Sequence, residues 1–511
     1  MRAASYAIGA MKALNEFDQL DSLDVISGVS GGTYAMMWYY AGVYGRDSLS
    51  EPGTAEANAF LFSDANLDKF LSKHSKWHYR RRTTYDLTIS IAAAVRNLLN
   101  APFYLLDKYL EARLGDPLWT SQETLGALYR ERLVDLYVNY DGASRHTPTL
   151  SELENLVTKR HLPWPVLNFT VYDDQPAIMF DRKRIFEVTP FKVGSHEAGY
   201  AVVKDSVAIS GHTQFDKTLS DYVRASGAAF DVPLESIRHN SWRAELGLGL
   251  GMKIYAPVNG NGESMKILYL ADGGFSENLG TYGLVRRGCR VINVVDAEYD
   301  PWFKFEGYSV LERHIREGMG MHLAVKEIEM RLKKNVLKNP VVCPDGSDEC
   351  IPAMSSWPLP LMEGSIPVVR IADGHPPEHG ENLVVRYLKL SVKRDGARKH
   401  FESVPMNKQC ATGNSKGDPE AYFTQSLVDR INAGDKDLEF DPQFPQISTW
   451  DQSLSEKRVR ALLDLGYAHM KAMICRDDAV PGWFYRAETV KSLGSLLDLA
   501  PSRPDENDQA P

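Results

Sequence analysis

Leu23-Asp24-Val25-Ile26-Ser27-Gly28-Val29-Ser30-Gly31-Gly32 is the stretch on which the reading of this chain turns. Leu23 to Ser27 is a short β-type run, and it ends at once in Gly28-Val29-Ser30-Gly31-Gly32, a G-x-S-x-G string. Tyr34 to Tyr44 follows as an apolar helical run. The string alone is a weak signal, because chance places about 0.2 such strings in a chain of this composition. Its context strengthens it. A nucleophile elbow needs a strand before the serine, a helix after it and small flanking residues, because the side chain stands on a strained turn where neighbouring Cβ atoms would clash. All three conditions are met around Ser30, with Gly28, Gly31 and Gly32 as the elbow glycines. The helix N-terminus after the serine also directs N–H groups and a positive dipole end toward a developing oxyanion.

Upstream, residues 2 to 16 read as an amphipathic helix with Ala4, Ala7, Ile8, Met11 and Leu14 on one face. Downstream, residues 46 to 160 read as mostly helical, and β-type runs return at Val166 to Tyr172, Ala177 to Phe180 and Ile185 to Val188. Asp221 to Phe230 reads as helical and then rich in small residues; Ile267 to Ala271 and Val291 to Val295 are further β-type runs. This alternation favours an α/β architecture around a mainly parallel sheet. Residues 340 to 382 are rich in Pro and Gly and read as a loop or insertion, Thr449 to Met473 as a helix, and Ser502 to Pro511 as a disordered tail.

The second chemical motif is Ala271-Asp272-Gly273-Gly274, which closes the run from Ile267. A carboxylate at the C-terminal end of a strand lies at the edge where open α/β sheets put their sites. An Asp-Gly turn by itself is ordinary. The pair is what matters, a nucleophile and a base each at a strand end, which adjacent strands of one sheet would bring together.

These residues resemble the patatin-like phospholipases, related to the catalytic domain of cytosolic phospholipase A2. Members of that family combine a G-x-S-x-G elbow with a D-G-[GA] motif in a Ser–Asp dyad that uses no histidine. Ser30 matches the nucleophile and Asp272 the base, with Gly273 and Gly274 completing the motif. The run Asp272-Gly-Gly-Phe-Ser-Glu-Asn-Leu-Gly280 looks like bacterial members. Ala225-Ser226-Gly227-Ala228-Ala229 is similar to the small-residue segment found between the motifs, and Asn168-Phe169-Thr170 to a strand beneath the site. The resemblance covers about residues 1 to 300. It implies a patatin-like three-layer α/β fold over residues 1–340 with a mainly parallel central sheet and a helical insertion at about 46–160. A C-terminal extension over 341–500 would pack on it, with a disordered tail over 501–511. It implies acyl transfer from a phospholipid or lysophospholipid through an acyl-serine, with no metal or organic cofactor.

One departure stands beside the match. Family members open with a strand and a Gly-rich oxyanion loop, G-G-G-x-R, before the first helix; here Arg2 and the helix after it align with the tail of that loop, as its remnant. The resemblance thus implies a start upstream of Met1 or a truncated product. Two competing readings follow from other classes: a non-catalytic lipid-binding protein that kept the fold, and an α/β-hydrolase esterase with a Ser–His–Asp triad drawing on His314 or His322. That last fold puts several strands before its elbow, and 29 residues cannot supply them.

Composition narrows the remaining classes. The 511 residues are 43% hydrophobic and 24% charged, ordinary globular usage that argues against disorder or a polytopic membrane protein. A formal charge of −9 gives a nucleic-acid surface no support. The longest apolar stretch, around residues 83 to 106, is interrupted by Asp86 and Arg96 and falls short of a bilayer span. Met1-Arg2-Ala3-Ala4 leads straight into a helical pattern, so no secretory signal is expected. Five widely spaced cysteines fit mostly free thiols in a reducing compartment, and a cytoplasmic protein, peripheral at the inner membrane surface, is the expectation. The membrane contact expected is the basic aromatic segment His74 to Arg82, with Trp77, Arg80, Arg81 and Arg82 at the lipid interface; a solvated helix face is the plainer alternative. His375-Pro376-Pro377-Glu378-His379 matches a zinc motif only formally, because two prolines prevent the helix that would align its histidines.

Overall fold

The computed structural model describes residues 1–47, 54–81, 124–142, 145–172, 180–203, 215–227, 251–257, 265–333, 341–342, 351–352, 361–367, 369–370, 378–379, 382–391, 445–447, 454 and 456–475. The amphipathic N-terminal run forms α1 (Arg2–Glu16). β1 (Val25–Val29) leads through Ser30 into α2 (Gly31–Asp47). Ala35 to Ala41 are buried on every face of α2, as expected of a helix at the centre of a core. Helices α3 (Thr54–Leu61), α4 (Asp64–Arg81), α5 (Thr124–Tyr137) and α6 (Leu150–Arg160) fall within the stretch read as mostly helical, of which residues 82–123 lie outside the described residues. α6 begins with a capping box in which the Thr149 side chain accepts from the Glu152 N–H and the Glu152 carboxylate accepts from the Thr149 N–H.

A seven-stranded sheet follows, built from β1, β2 (Trp164–Tyr172), β3 (Ile185–Val188), β4 (Lys192–Ser195), β5 (Gly199–Val202), β6 (Met252–Pro257) and β7 (Met265–Asp272). Its main path runs β5-β4-β3-β2-β7-β6, and β1 joins it by pairing with β2. The α/β class holds, but the expectation of a mainly parallel sheet does not. β1–β2 is the parallel pair in this sheet, and the other described pairings in it are antiparallel. The reason is connection length. β3, β4 and β5 are separated by three residues each, and such links permit only antiparallel neighbours, whereas a parallel pair needs a crossover of about a dozen residues or more. α7 (Leu219–Ser226) packs on β2 and β7 with Tyr222, Val223 and Ala225 buried.

Beyond Asp272 come α8 (Tyr282–Arg286), β8 (Val291–Asp296), α9 (Glu306–Met319) and α10 (Lys326–Lys333). Two-residue strands β9 (Val341–Val342) and β10 (Ile351–Pro352) pair antiparallel, as do β12 (Val369–Arg370) and β13 (Glu378–His379). β11 (Leu361–Ile366) and β14 (Leu383–Lys389) join β8 in a three-stranded sheet in which β14 runs parallel to β8. This sheet has its own core, with Val294, Leu311, Ile315, Val325 and Tyr387 at its centre. The last described helix, α11 (Glu456–Ile474), packs along α1. There the backbones touch: a Cβ on Gly9 would lie 1.9 Å from the Leu463 carbonyl oxygen, and one on Gly466 would lie 2.0 Å from that of Tyr6.

Among the described residues no helix is long and apolar enough to cross a membrane. The apolar stretch around 83 to 106, Arg82 and the tail from Ser502 lie outside the described residues. Glu378 and His379, from the formal zinc motif, sit in a strand rather than a helix. Cys289 is free and Cys475 is disulfide-bonded; Cys343, Cys350 and Cys410 lie outside the described residues. Sequence spacing does not reveal which cysteines a fold brings within the few ångströms that a disulfide requires.

Candidate active site

β2 is long enough to take three partners, and that fact creates the site. β1 runs along it from Val25 opposite Trp164 to Val29 opposite Asn168. β7 runs the opposite way, from Tyr269 opposite Tyr172 to Asp272 opposite Phe169. β3 occupies the other edge from Leu167 to Thr170. β1 and β7 therefore share one edge of β2 and meet on it, C-terminal end to C-terminal end. Ser30 and Asp272, 242 positions apart in the chain, are joined by a hydrogen bond in which the Ser30 Oγ donates to Asp272 Oδ2 at 2.8 Å.

The local backbone accounts for how each side chain is held. Ser30 lies in the left-handed region at φ +48°, a conformation that costs a residue with a Cβ about 1–2 kcal/mol. Its N–H donates to the Ser226 Oγ at 3.1 Å, and its carbonyl accepts from the Thr33 N–H at 3.0 Å and the Thr33 Oγ1 at 2.6 Å. Ser226 in turn donates to the Asn168 carbonyl at 2.8 Å. The Asn168 side-chain amide donates to the Gly28 carbonyl and the Ser27 Oγ, and Ser27 donates to the Gly280 carbonyl at 2.6 Å. One relay thus ties α7, β1, β2 and the loop after β7. Close approach explains two glycines. A Cβ on Gly28 would lie 2.3 Å from the Met36 sulfur, and one on Gly273 would lie 2.5 Å from the Asn168 carbonyl oxygen.

Asp272 is buried, and its Oδ1 accepts from the Gly274 N–H at 2.8 Å, so each carboxylate oxygen has a donor. The turn after it is held by Glu277, whose carboxylate accepts from the N–H groups of Leu279, Thr281 and Tyr282 at 2.6, 2.7 and 3.2 Å. Burial still pushes the Glu277 carboxyl above its usual range. Gly31 meets the first turn of α1, with Ala3 Cβ 3.0 Å from where its own Cβ would stand, while Gly32 faces open space. The N-termini of α1 and α2 therefore converge beside Ser30.

Arg2 is buried, and its guanidinium donates to the carbonyls of Ala297 and Ile447. Burial lowers it to about 10, against the pull of Asp296, Glu298 and Tyr299. Trp77, Arg80 and Arg81 belong to α4, with side chains outside the described set, as is Arg82. The two histidines of the triad reading are engaged elsewhere. His314 pairs through Nε2 with the Ser276 carbonyl at 2.9 Å and is kept toward its neutral form by burial; His322 bridges Glu312 and Glu329 at 3.0 Å each.

Sequence reasoning met Ser226 and Glu277 only within family-like runs and gave neither a role, and it did not single out the Tyr34–Tyr129 pair. Tyr34 stands one helical turn after Ser30, and its hydroxyl pairs with that of Tyr129 at 2.6 Å. Burial raises the Tyr34 phenol well above its ordinary value, and the nearby charges of Tyr129 and Asp272 add to the shift. The spacing of four was the available signal for Tyr34; nothing local marked Tyr129.

No protein-family model matches the chain, and no curated protein matches it in sequence. Among solved structures it is similar to human GIVD cytosolic phospholipase A2, with a TM-score of 0.50 at 14% identity. That match covers 92% of this chain and 59% of the human one, so this chain spans less than two thirds of its length. The same human protein in complex with methyl gamma-linolenyl fluorophosphonate matches at a TM-score of 0.46 and 14% identity, over 92% of this chain and 56% of that one. At such identity the likeness is one of fold, and it agrees with a mixed α/β architecture.

Proposed function

We propose that this chain is a lipid acyl hydrolase of the phospholipase A or lysophospholipase type, of the patatin-like kind, with Ser30 as nucleophile and Asp272 as base. The observation that carries the reading is the 2.8 Å hydrogen bond from Ser30 to a buried carboxylate at the meeting of two strand ends. In the proposed reaction Asp272 accepts the hydroxyl proton as Ser30 attacks an ester carbonyl. The tetrahedral intermediate collapses to an acyl-serine, and the alcohol leaves with the proton. Water, deprotonated by Asp272, then releases the fatty acid and restores Ser30. N–H groups at the starts of α1 and α2 are the available donors for the oxyanion. A phospholipid or lysophospholipid substrate and peripheral contact with a cytoplasmic membrane face, through the basic aromatic segment around Trp77, complete the proposal; they rest on the sequence pattern and the resemblance.

The test is covalent. A fluorophosphonate probe should label the wild-type chain at Ser30 and leave Ser30→Ala unlabelled, and mass spectrometry of mixed lipids should detect fatty acid release that Asp272→Asn abolishes while remaining folded. Labelling at another serine, or ester hydrolysis surviving in folded Asp272→Asn, would overturn the assignment. Single His314→Ala and His322→Ala changes should cost little activity; silencing by either one would favour a triad instead.

A further inference from the structure

We infer that Glu298 is a positioning residue for the turn that carries Asp272, acting through the side-chain amide of Asn278; the inference rests on the Ser30–Asp272 reading above. Asn278 stands between the two. Its Nδ2 donates to Glu298 Oε1 at 3.2 Å. Its Oδ1 crowds Gly274, lying 2.7 Å from where a Cβ on that glycine would stand, with Asp272 Oδ1 at 3.1 Å on the same point. Gly274 is the residue whose N–H donates to Asp272. The amide thus stands beside Gly274 on one side and hydrogen-bonds on the other to a carboxylate from the end of the neighbouring sheet.

Glu298 is itself held from several sides. Its Oε2 accepts from the Gly307 N–H at 3.0 Å, in the first turn of α9. The approach to that turn carries Phe303 and Phe305 in left-handed conformations, at φ +50° and +54°. Asp296 and Asp300 come from its own segment, Lys389 and Tyr387 from β14, and Arg2 from α1. Lys389 is fully buried against Asp296 at 2.8 Å and Asp300 at 3.4 Å. When Glu298 is ionised, three carboxylates face the two cations Lys389 and Arg2; when it is protonated, the charges balance. Burial, reinforced by Asp296 and Asp300 and opposed by Lys389 and the Gly307 N–H, pushes its carboxyl up to about 7.

The chemical consequence follows from hydrogen-bond inventory. An ionised Glu298 accepts on both oxygens, from Asn278 and from Gly307. A proton on Oε1 would face the Asn278 NH2 donor against donor, so the amide must flip to accept that proton through Oδ1. Its Oδ1 then leaves Gly274, and the turn presenting the Gly274 N–H to Asp272 loosens. The ionised form therefore holds the dyad in register, and a proton on Glu298 releases it.

The experiment uses the full chain and four proteins: wild type, Glu298→Gln, Asn278→Ala and the double variant. Steady-state hydrolysis of a soluble short-chain p-nitrophenyl ester is read alongside hydrogen–deuterium exchange of the amides from Gly273 to Thr281, corrected for intrinsic exchange. In the wild type kcat should fall about tenfold from about pH 8 to about pH 6 with KM within about twofold, and the loop should exchange about tenfold faster at the lower pH. Glu298→Gln should show the lowered kcat and fast exchange at both pH values, and the double variant should be no worse than either single one. A neutral limb that persists in Glu298→Gln, or additive losses in the double variant, overturns the inference. A wild type that neither hydrolyses the ester nor reacts with a fluorophosphonate overturns the hydrolase reading instead, and the exchange data then decide by themselves whether Glu298 holds the loop.

Discussion

Ser30, the proposed nucleophile, sits on a backbone that only glycine adopts freely, at φ +48°. The turn is tolerated because Ser226, Thr33 and Asp272 each take one of its polar groups. The strain is separable from the chemistry. Ser30→Gly and Ser30→Ala both remove the hydroxyl, yet the glycine variant should be more stable than the alanine one by about 1 kcal/mol, measured by urea unfolding. Equal midpoints would mean that the elbow stores no strain. Ser226→Ala tests the other half of the arrangement. It leaves the Ser30 N–H without its partner, so stability should drop by about 1–3 kcal/mol and the rate of fluorophosphonate labelling should fall about tenfold. Unchanged labelling would remove Ser226 from the site. Ser30 and Asp272 were legible from their strand-end motifs. Ser226 was visible only as part of a family-like small-residue segment; its contact with the elbow was not, because a serine at the end of a helix looks like any other until the fold sets it there.

Among the elements, α1 does the most for its length. One face packs on α11 with backbone in contact at Gly9 and Gly466, and its first turn rests on Gly31 beside Ser30. A methyl group at position 9 would stand 1.9 Å from a main-chain oxygen, which no side-chain rotation relieves. Gly9→Ala should therefore cost about 3 kcal/mol in a denaturant titration and slow labelling of Ser30 as α1 shifts off the elbow. A thermally unchanged variant with normal labelling would show that the two helices can part without consequence. The helix itself was legible from its apolar stripe. Its partner was not, because the stripe states that a face is covered without stating by what.

Across the whole molecule, buried histidines set a response to acid. His469 in α11 is buried, shares a hydrogen bond with the Tyr6 hydroxyl at 2.6 Å through Nδ1, and is lowered by burial to about 3. His314 is lowered as well. A histidine with a depressed folded pKa contributes stability that is complete above its unfolded value of about 6.5 and is lost as pH falls toward the folded one. The urea midpoint should thus decline from about pH 6.5 downward, with His469 contributing about 1.4 kcal/mol per pH unit. His469→Gln offers Tyr6 either a donor or an acceptor and cannot titrate, so it should flatten this slope. A slope identical to wild type would move the acid response to other groups. Glu298 acts with the opposite sign: its raised carboxyl contributes stability below its unfolded value that fades as pH rises through about 7. Glu298→Gln should accordingly stabilise the protein at alkaline pH, even as it lowers activity.

Element type could be read along the chain because it follows from local periodicity: residues 2 to 16, the strand before Ser30, Ile185 to Val188 and the run closing at Asp272 all appear where the apolar pattern puts them. The α/β class and the two chemical motifs were determined in that way. Strand direction was not, since a β-type run pairs either way, and the link lengths between β3, β4 and β5 decided for antiparallel neighbours. The Cys475 disulfide and the Asn278–Glu298 contact were equally hidden, because each joins parts of the chain whose separation in sequence carries no information about distance. Most telling is the proposed pair itself. Two motifs 242 positions apart suggested their chemistry separately, but only the fold set β1 and β7 end to end on one edge of β2, with the third partner, β3, on the other edge.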